Sequence, residues 1–231
     1  VLFKKTRAYF INNLALTASM LALISLLFST LAWADADHPE TTPSSTTQKV
    51  LILGDSLSAA YGLEQEQGWV NLLQNMLQAQ PETQHIQLIN AAISGETTDG
   101  GVSRLPRLLS QHAPDVVLIE LGGNDGLQGH SIPKLRENLA TLIKLTQEAG
   151  AQPIVQAMQI PTNYGRRYNN MFIESFTQLA DEVPVVPFFL ADIALDTALM
   201  QRDGIHPTAE AQPLIAEFMH AHFIPLVKAA S

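Results

Sequence analysis

The sequence predicts a three-layer α/β/α domain built on a five-stranded parallel sheet, and three observations carry that prediction. From residue 49 onward, five short apolar runs (50–53, 87–90, 116–121, 153–158 and 185–186) alternate with stripes of helical period. The runs are apolar almost without interruption, as expected of strands buried on both faces of a parallel sheet rather than wet on one. There is no cysteine, so no disulfide framework stands in for a core. Right-handed crossovers between such strands gather all their C-terminal ends on one edge, where ligands of open α/β sheets bind.

Taken in order, the first segment is read as a leader rather than fold. Lys4, Lys5 and Arg7 precede an apolar stretch from about Leu14 to Leu31, and Ala32-Trp33-Ala34 then supplies small residues at the spacing a signal peptidase reads. Residues 1–34 are therefore expected to be a signal peptide cleaved after Ala34; the alternative for so long a stretch is an uncleaved anchor. Residues 35–48 are polar and lack periodicity, and read as a flexible leader, with residues 49–231 forming one domain. Trp69, Leu72, Leu73, Met76 and Leu77 share one helical face, as do Leu135, Leu139, Leu142, Ile143 and Thr146. Two further stripes are Tyr168, Phe172, Phe176 and Leu179, then Leu214, Ile215, Phe218 and Met219. The 102–109 segment is also helix-like, with Pro106 expected to kink it.

Charge narrows the partners. The formal net charge of −9 becomes −12 once the leader is removed, since that segment holds three positive charges and no acid. So acidic a chain offers no basic footprint for nucleic acid and gains nothing from anionic lipid headgroups. The histidines other than His206, including the weak His220-x-His222 pair, lack metal-ligand spacing, so neither metal nor cofactor is expected.

Chemistry is suggested by the turns that close the strands. Gly54-Asp55-Ser56-Leu57-Ser58 runs off the first, Ser94-Gly95-Glu96 comes after the second, and Gly122-Gly123-Asn124-Asp125 after the third. Asp203-Gly204-Ile205-His206-Pro207 lies after the fifth, ahead of the last helix. Each has a bland reading: Gly-Asp-Ser as turn and cap chemistry, Asn124 as a left-handed turn residue, Asp-Gly and His-Pro as turn and helix start. The Asp-x-x-His spacing is more telling, because a tight turn brings the carboxylate beneath imidazole Nδ1–H and leaves Nε2 outward as a base. With Ser56 as nucleophile, His206 as base and Asp203 as orienting acid, an oxyanion could take the N–H groups of Ser56 and Gly95 and the Asn124 amide. Three such accidents on one edge are improbable. A Gly-x-Ser-x-Gly α/β-hydrolase is disfavoured, since Ser56 comes after the first strand and position 58 is Ser.

These blocks resemble those of the SGNH (GDSL) hydrolases, and more closely the periplasmic thioesterase I / lysophospholipase / arylesterase group. The likeness runs from about Val50 to Pro225 and includes the 161–169 segment and Ala211-Gln212-Pro213. It implies a flavodoxin-like five-stranded sheet, a Ser56–Asp203–His206 triad and an oxyanion hole from Ser56, Gly95 and Asn124. The substrate implied is a small-molecule acyl ester or thioester, cleaved without a cofactor by a monomer in the periplasm or outside the cell, with no stable membrane insertion after leader removal. Two positions depart from the pattern: Glu96 stands where relatives often carry Asp, and Arg202 where an acid is expected. The loops at 126–131 and 160–168 are expected to border the acyl groove, with Arg166 and Arg167 in a surface or packing role. The rival readings are a carbohydrate O-acetyl esterase using the same triad, which a sugar-stacking aromatic rim would favour, and a non-catalytic flavodoxin-like binding module.

Overall fold

The computed structural model describes residues 47–230; the leader expected at 1–34 and the polar segment as far as residue 46 lie outside the described residues. Five strands, β1 (Gln48–Gly54), β2 (Ile86–Asn90), β3 (Val116–Glu120), β4 (Gln152–Gln156) and β5 (Val185–Val186), form one sheet in the order β2-β1-β3-β4-β5. All four pairings are parallel, with Val50 opposite both Leu88 and Val116. This is the flavodoxin-like order, in which the chain reverses direction across the sheet beside β1. The crevice at that reversal lies between the C-terminal ends of β1 and β3, which lead into Ser56 and Asn124.

The helices are α1 (Trp69–Gln78), α2 (Thr98–His112), α3 (Gly123–Leu127), α4 (Ile132–Glu148), α5 (Arg166–Thr177), α6 (Gln212–His222) and α7 (Ile224–Lys228). α1 packs against α6, while α2 packs on α4 and α4 on α5. The residues of β1 from Val50 to Leu53 and every residue of β3 are buried, which accounts for the unbroken apolar runs in sequence. The stripe residues of α4 are all buried, as are Trp69, Leu73, Phe172, Phe176, Ile215 and Met219. Leu214 is not: it is exposed, and the buried polar Gln212 takes its turn of α6 inward by accepting the Trp69 N–H at 2.9 Å.

Strands β2, β3 and β4 shift by one or two residues from the sequence reading, Leu179 lies beyond the end of α5, and three further differences have a visible cause or bear on the site. β1 begins at Gln48, inside the segment read as leader: it pairs with Ile86, its N–H donates to the His85 carbonyl at 3.0 Å, and its buried amide Nε2 donates to the Val227 carbonyl at 2.9 Å. α2 begins four residues ahead of 102 and runs through Pro106 without ending there. Thr97 caps it by accepting the Gly100 N–H, and Gly101 lets it approach the sheet so closely that a Cβ there would lie 2.4 Å from Leu121. Residues 123–127 form a short helix instead of a loop. Among the described residues, no helix is long and apolar enough to cross a membrane.

Candidate active site

β1 ends at Gly54 because nothing larger fits: a Cβ there would come within 2.6 Å of Glu120 Oε2 and 2.9 Å of the Ser58 side chain. The chain then coils into a tight turn, Ala59 N–H donating to the Asp55 carbonyl at 3.0 Å and Tyr61 N–H to the Ser56 carbonyl at 3.2 Å. Ser56 is thereby presented at the sheet edge. Its Oγ lies 2.8 Å from His206 Nε2, although 150 residues separate them.

His206 owes its position to a small hairpin. Met200 and Pro207 form an antiparallel bridge, Gln201 N–H donates to the His206 carbonyl at 2.7 Å, and Gly204 turns the loop with φ +66°. Asp203 then faces back on its own loop. Its Oδ1 accepts the N–H groups of Ile205 (2.9 Å) and His206 (3.0 Å), and Oδ2 lies 2.7 Å from His206 Nδ1. Burial alone would raise the Asp203 carboxyl, but the hydrogen bonds from the His206 ring and from the two N–H groups outweigh it and hold the pKa at about 2. An ionised carboxylate can only accept, so the proton of a neutral ring sits on Nδ1 and Nε2 is free to receive the serine proton.

The remaining candidates gather less uniformly. Gly95 adopts φ +81°, a backbone state costly for any side chain, with open space around its Cα. Its turn is tied to β1 by the Ile93 N–H bond to the Gly54 carbonyl at 3.0 Å. Among the described residues, no acceptor is hydrogen-bonded to the N–H of Ser56 or of Gly95. Asn124 lies in the first turn of α3 and is not itself left-handed; the positive φ belongs to Gly122. Its amide Nδ2 donates to the Glu96 carbonyl at 3.0 Å and, more weakly, to Asp55 Oδ2 at 3.2 Å. Ser56, Asn124 and His206 line one groove of about 610 Å³, whereas Gly95 stands outside its lining.

Sequence reasoning passed over the polar layer beneath these groups. Glu120, at the end of β3, is fully buried and accepts the Ser58 hydroxyl at 2.6 Å and the Asp55 N–H at 3.2 Å. Burial, reinforced by the Asp55 carboxylate beside it, drives the Glu120 carboxyl well above the usual range. Burial also pushes Asp55 up to about 6, against the lowering pull of the Leu57 N–H. Asp125 accepts both the N–H (2.9 Å) and the hydroxyl (2.5 Å) of Thr98, joining the start of α2 to the turn that carries Asn124. Glu96 pairs with Arg104 at 2.5 Å, and Arg104 also donates to the Ala91 carbonyl at 2.6 Å, so the departure at 96 braces the loop rather than disturbing the Gly95 amide. Arg166, Arg167 and Arg202 are all exposed. The one signal that could have exposed this layer is Glu120 itself, a lone acid closing an otherwise apolar buried run.

The groove is apolar where it leaves Ser56. Leu127, Met158, Ile160, Leu190, Leu195 and Ile205 line it, with Phe188 as its one aromatic ring besides His206. The 126–131 loop contributes only Leu127 and the 160–168 loop its first three residues; the far wall comes from 188–195, which the sequence reading did not assign. No cluster of three or more metal-ligating side chains occurs among the described residues.

Comparisons with known proteins bear on the fold and the family. Residues 52–213 match the model of the GDSL-like lipase/acylhydrolase family. An arylesterase of Vibrio mimicus is 44% identical over 178 residues, covering 76% of this chain and 88% of that protein. The thioesterase 1/protease 1/lysophospholipase L1 of Escherichia coli K12 is 42% identical over 186 residues, covering 80% and 87%. Among solved structures, the psychrotrophic esterase EstA from Pseudoalteromonas sp., inhibited by monoethylphosphonate, superposes with TM-score 0.75 at 48% identity, covering 78% of this chain and 99% of that one. A family match over most of the domain, joined to relatives above 40% identity along nearly their whole length, makes this chain a member of the GDSL-like lipase/acylhydrolase family.

Proposed function

We propose that the protein hydrolyses acyl esters and thioesters through an acyl-enzyme on Ser56. The observation that carries the reading is the unbroken relay of 2.8 Å from Ser56 Oγ to His206 Nε2 and 2.7 Å from His206 Nδ1 to Asp203 Oδ2. Ser56 Oγ attacks the carbonyl carbon while Nε2 takes its proton, and the Asp203 carboxylate stabilises the resulting imidazolium. The carbonyl oxygen, now negative, is received by the N–H groups of Ser56 and Gly95 and by Asn124, which exchanges its weaker bond to Asp55 for the oxyanion. Collapse expels the alcohol or thiol, which takes the proton from Nε2. Water then attacks the acyl-enzyme by the same route, releasing the acid and Ser56.

The apolar groove favours an acyl chain over a sugar, since a carbohydrate site would want aromatic faces and only Phe188 is present besides His206. Substrates named for relatives, aryl esters, thioesters and lysophospholipids, fit that lining. The leader at 1–34 would export the protein to the periplasm or beyond, with mature chain beginning at Asp35. Intact mass of exported protein checks this; a chain retaining residues 1–34 contradicts it.

The test of function is hydrolysis of esters of rising acyl length, with acyl-CoA and lysophospholipid alongside, by wild type and Ser56→Ala. Wild type should cleave esters and thioesters and Ser56→Ala neither; equal activity in the variant overturns the reading.

A further inference from the structure

Beside His206, outside the groove lining, lies a feature the acyl-transfer scheme leaves unused. Tyr61 lies outside the groove lining, is 49% exposed, and has its ring centroid 4.3 Å from that of His206 at an interplanar angle of 34°. The ring packs on His206, and the backbone it springs from is anchored to the His206 hairpin. Gln201 Nε2 donates to the Tyr61 carbonyl at 2.9 Å and to the Pro207 carbonyl at 3.0 Å. One amide thus ties the turn that carries Ser56 to the hairpin that carries His206. Ala60, immediately before Tyr61, is held at φ +54°, a left-handed state costing a non-glycine residue of order 1 kcal/mol. It persists because its side chain is wedged against Gly68, where a Cβ would lie 2.7 Å from that of Ala60.

The position of this ring matters because of the direction in which the reaction runs. With the acyl chain in the groove, the alcohol must depart on the other side of the scissile carbon, past the Nε2 that gives it a proton. Gly204 and Ile205 line the groove together with His206, whereas Tyr61, outside that lining, lies against the His206 ring. We infer that Tyr61, fixed by Gln201, is the platform for the leaving group and selects esters of flat aromatic alcohols over those of alkyl alcohols. An aromatic leaving group can lie offset on the ring beside His206, an alkyl one cannot. Aromatic pairing of that kind is worth roughly two- to tenfold in rate when it is made in the transition state. This rests on the acyl-enzyme reading above and adds to it the alcohol side of the substrate.

The test compares kcat/KM for the phenyl and ethyl esters of one short-chain acid. Both give the same acyl-enzyme, so the ratio of the two isolates the step in which the alcohol leaves. Tyr61→Leu should lower the phenyl-to-ethyl ratio by roughly two- to tenfold and Tyr61→Phe should retain it. Gln201→Ala should lower it in the same direction, because the ring is then no longer held. Replacing a half-exposed side chain leaves no core cavity, and Tyr61→Phe supplies a second variant of the same site. A ratio unmoved in Tyr61→Leu overturns the platform, including the case in which both esters slow together, since that outcome makes Tyr61 only a support for His206. Ser56→Ala run alongside separates the two ideas. If it still hydrolyses both esters at the wild-type rate, the acyl-enzyme reading fails; if it is inactive while the ratio in Tyr61→Leu is unmoved, only the platform fails.

Discussion

Two carboxylate sites lie on either side of Ser56, and their environments push them in opposite directions. In the hairpin, Asp203 is 39% exposed in its side chain, accepts three hydrogen bonds and is held at about 2. Beneath the turn, Asp55 and Glu120 are buried almost completely, and burial raises Asp55 to about 6 and Glu120 higher than the ordinary range. The chemical groups are alike; solvation and donors decide how readily each gives up its proton. The exposed site is thereby suited to stabilise a transient imidazolium. The buried pair suits a different task, to fix the amide of Asn124 and the Ser58 hydroxyl in one orientation.

If that division is right, losses of rate and losses of stability should separate between the two sites. The largest effect belongs to the hairpin. His206→Ala should lower kcat by about 10⁴-fold or more while leaving the melting temperature nearly unchanged, since the removed ring sits at the sheet edge, outside the apolar core. Steady-state kinetics with thermal melting measures both at once. Next comes the oxyanion side: Asn124→Ala should cost ~10²–10³ in kcat with little change in KM, and a loss below about threefold would make it a turn residue only.

The buried pair should respond in stability. Glu120→Leu strands the Ser58 hydroxyl and the Asp55 N–H without an acceptor and should destabilise by about 1–3 kcal/mol in denaturant titration, whereas Glu120→Gln keeps an acceptor for both. The smallest effect is in pH dependence. Because burial raises the folded-state values of Asp55 and Glu120, their contribution to stability is full below the unfolded range near pH ~4 and is lost as pH rises, through about 6 for Asp55. Glu120→Gln should therefore gain a few degrees in Tm over wild type at pH 8 and less at pH 4. A larger gain at pH 4 would reverse the sign and contradict the upward displacement of Glu120.

The same contrast explains how far the sequence could be read. Asp203 and His206 are three residues apart, so a turn alone brings them together and local spacing reveals it. Asp55 and Glu120 meet only because β1 and β3 lie side by side, and no local pattern encodes a contact 65 residues apart. The alternation of apolar runs and helical stripes exposed all five strands and the five longer helices, but not the short α3 and α7, because burial on two faces leaves a compositional mark. Where the mark is missing, boundaries slipped. Gln48 belongs to β1 through contacts made far along the chain, its N–H on the His85 carbonyl and its side chain on the Val227 carbonyl, and the Gly100-Gly101 start of α2 reads as a breaker until the close approach to Leu121 is known. The far wall of the groove at 188–195 was hidden for another reason: its short 3₁₀ turns have no period of their own.

The central claim is that Ser56 is the nucleophile, and covalent trapping tests it most directly. The protein is incubated with a serine-reactive phosphonate, its intact mass measured and the adduct mapped by peptide sequencing. One equivalent on Ser56, abolished in Ser56→Ala and strongly slowed in His206→Ala, is the predicted result. An adduct on Ser58 or Ser94, or full labelling of Ser56→Ala, would contradict it.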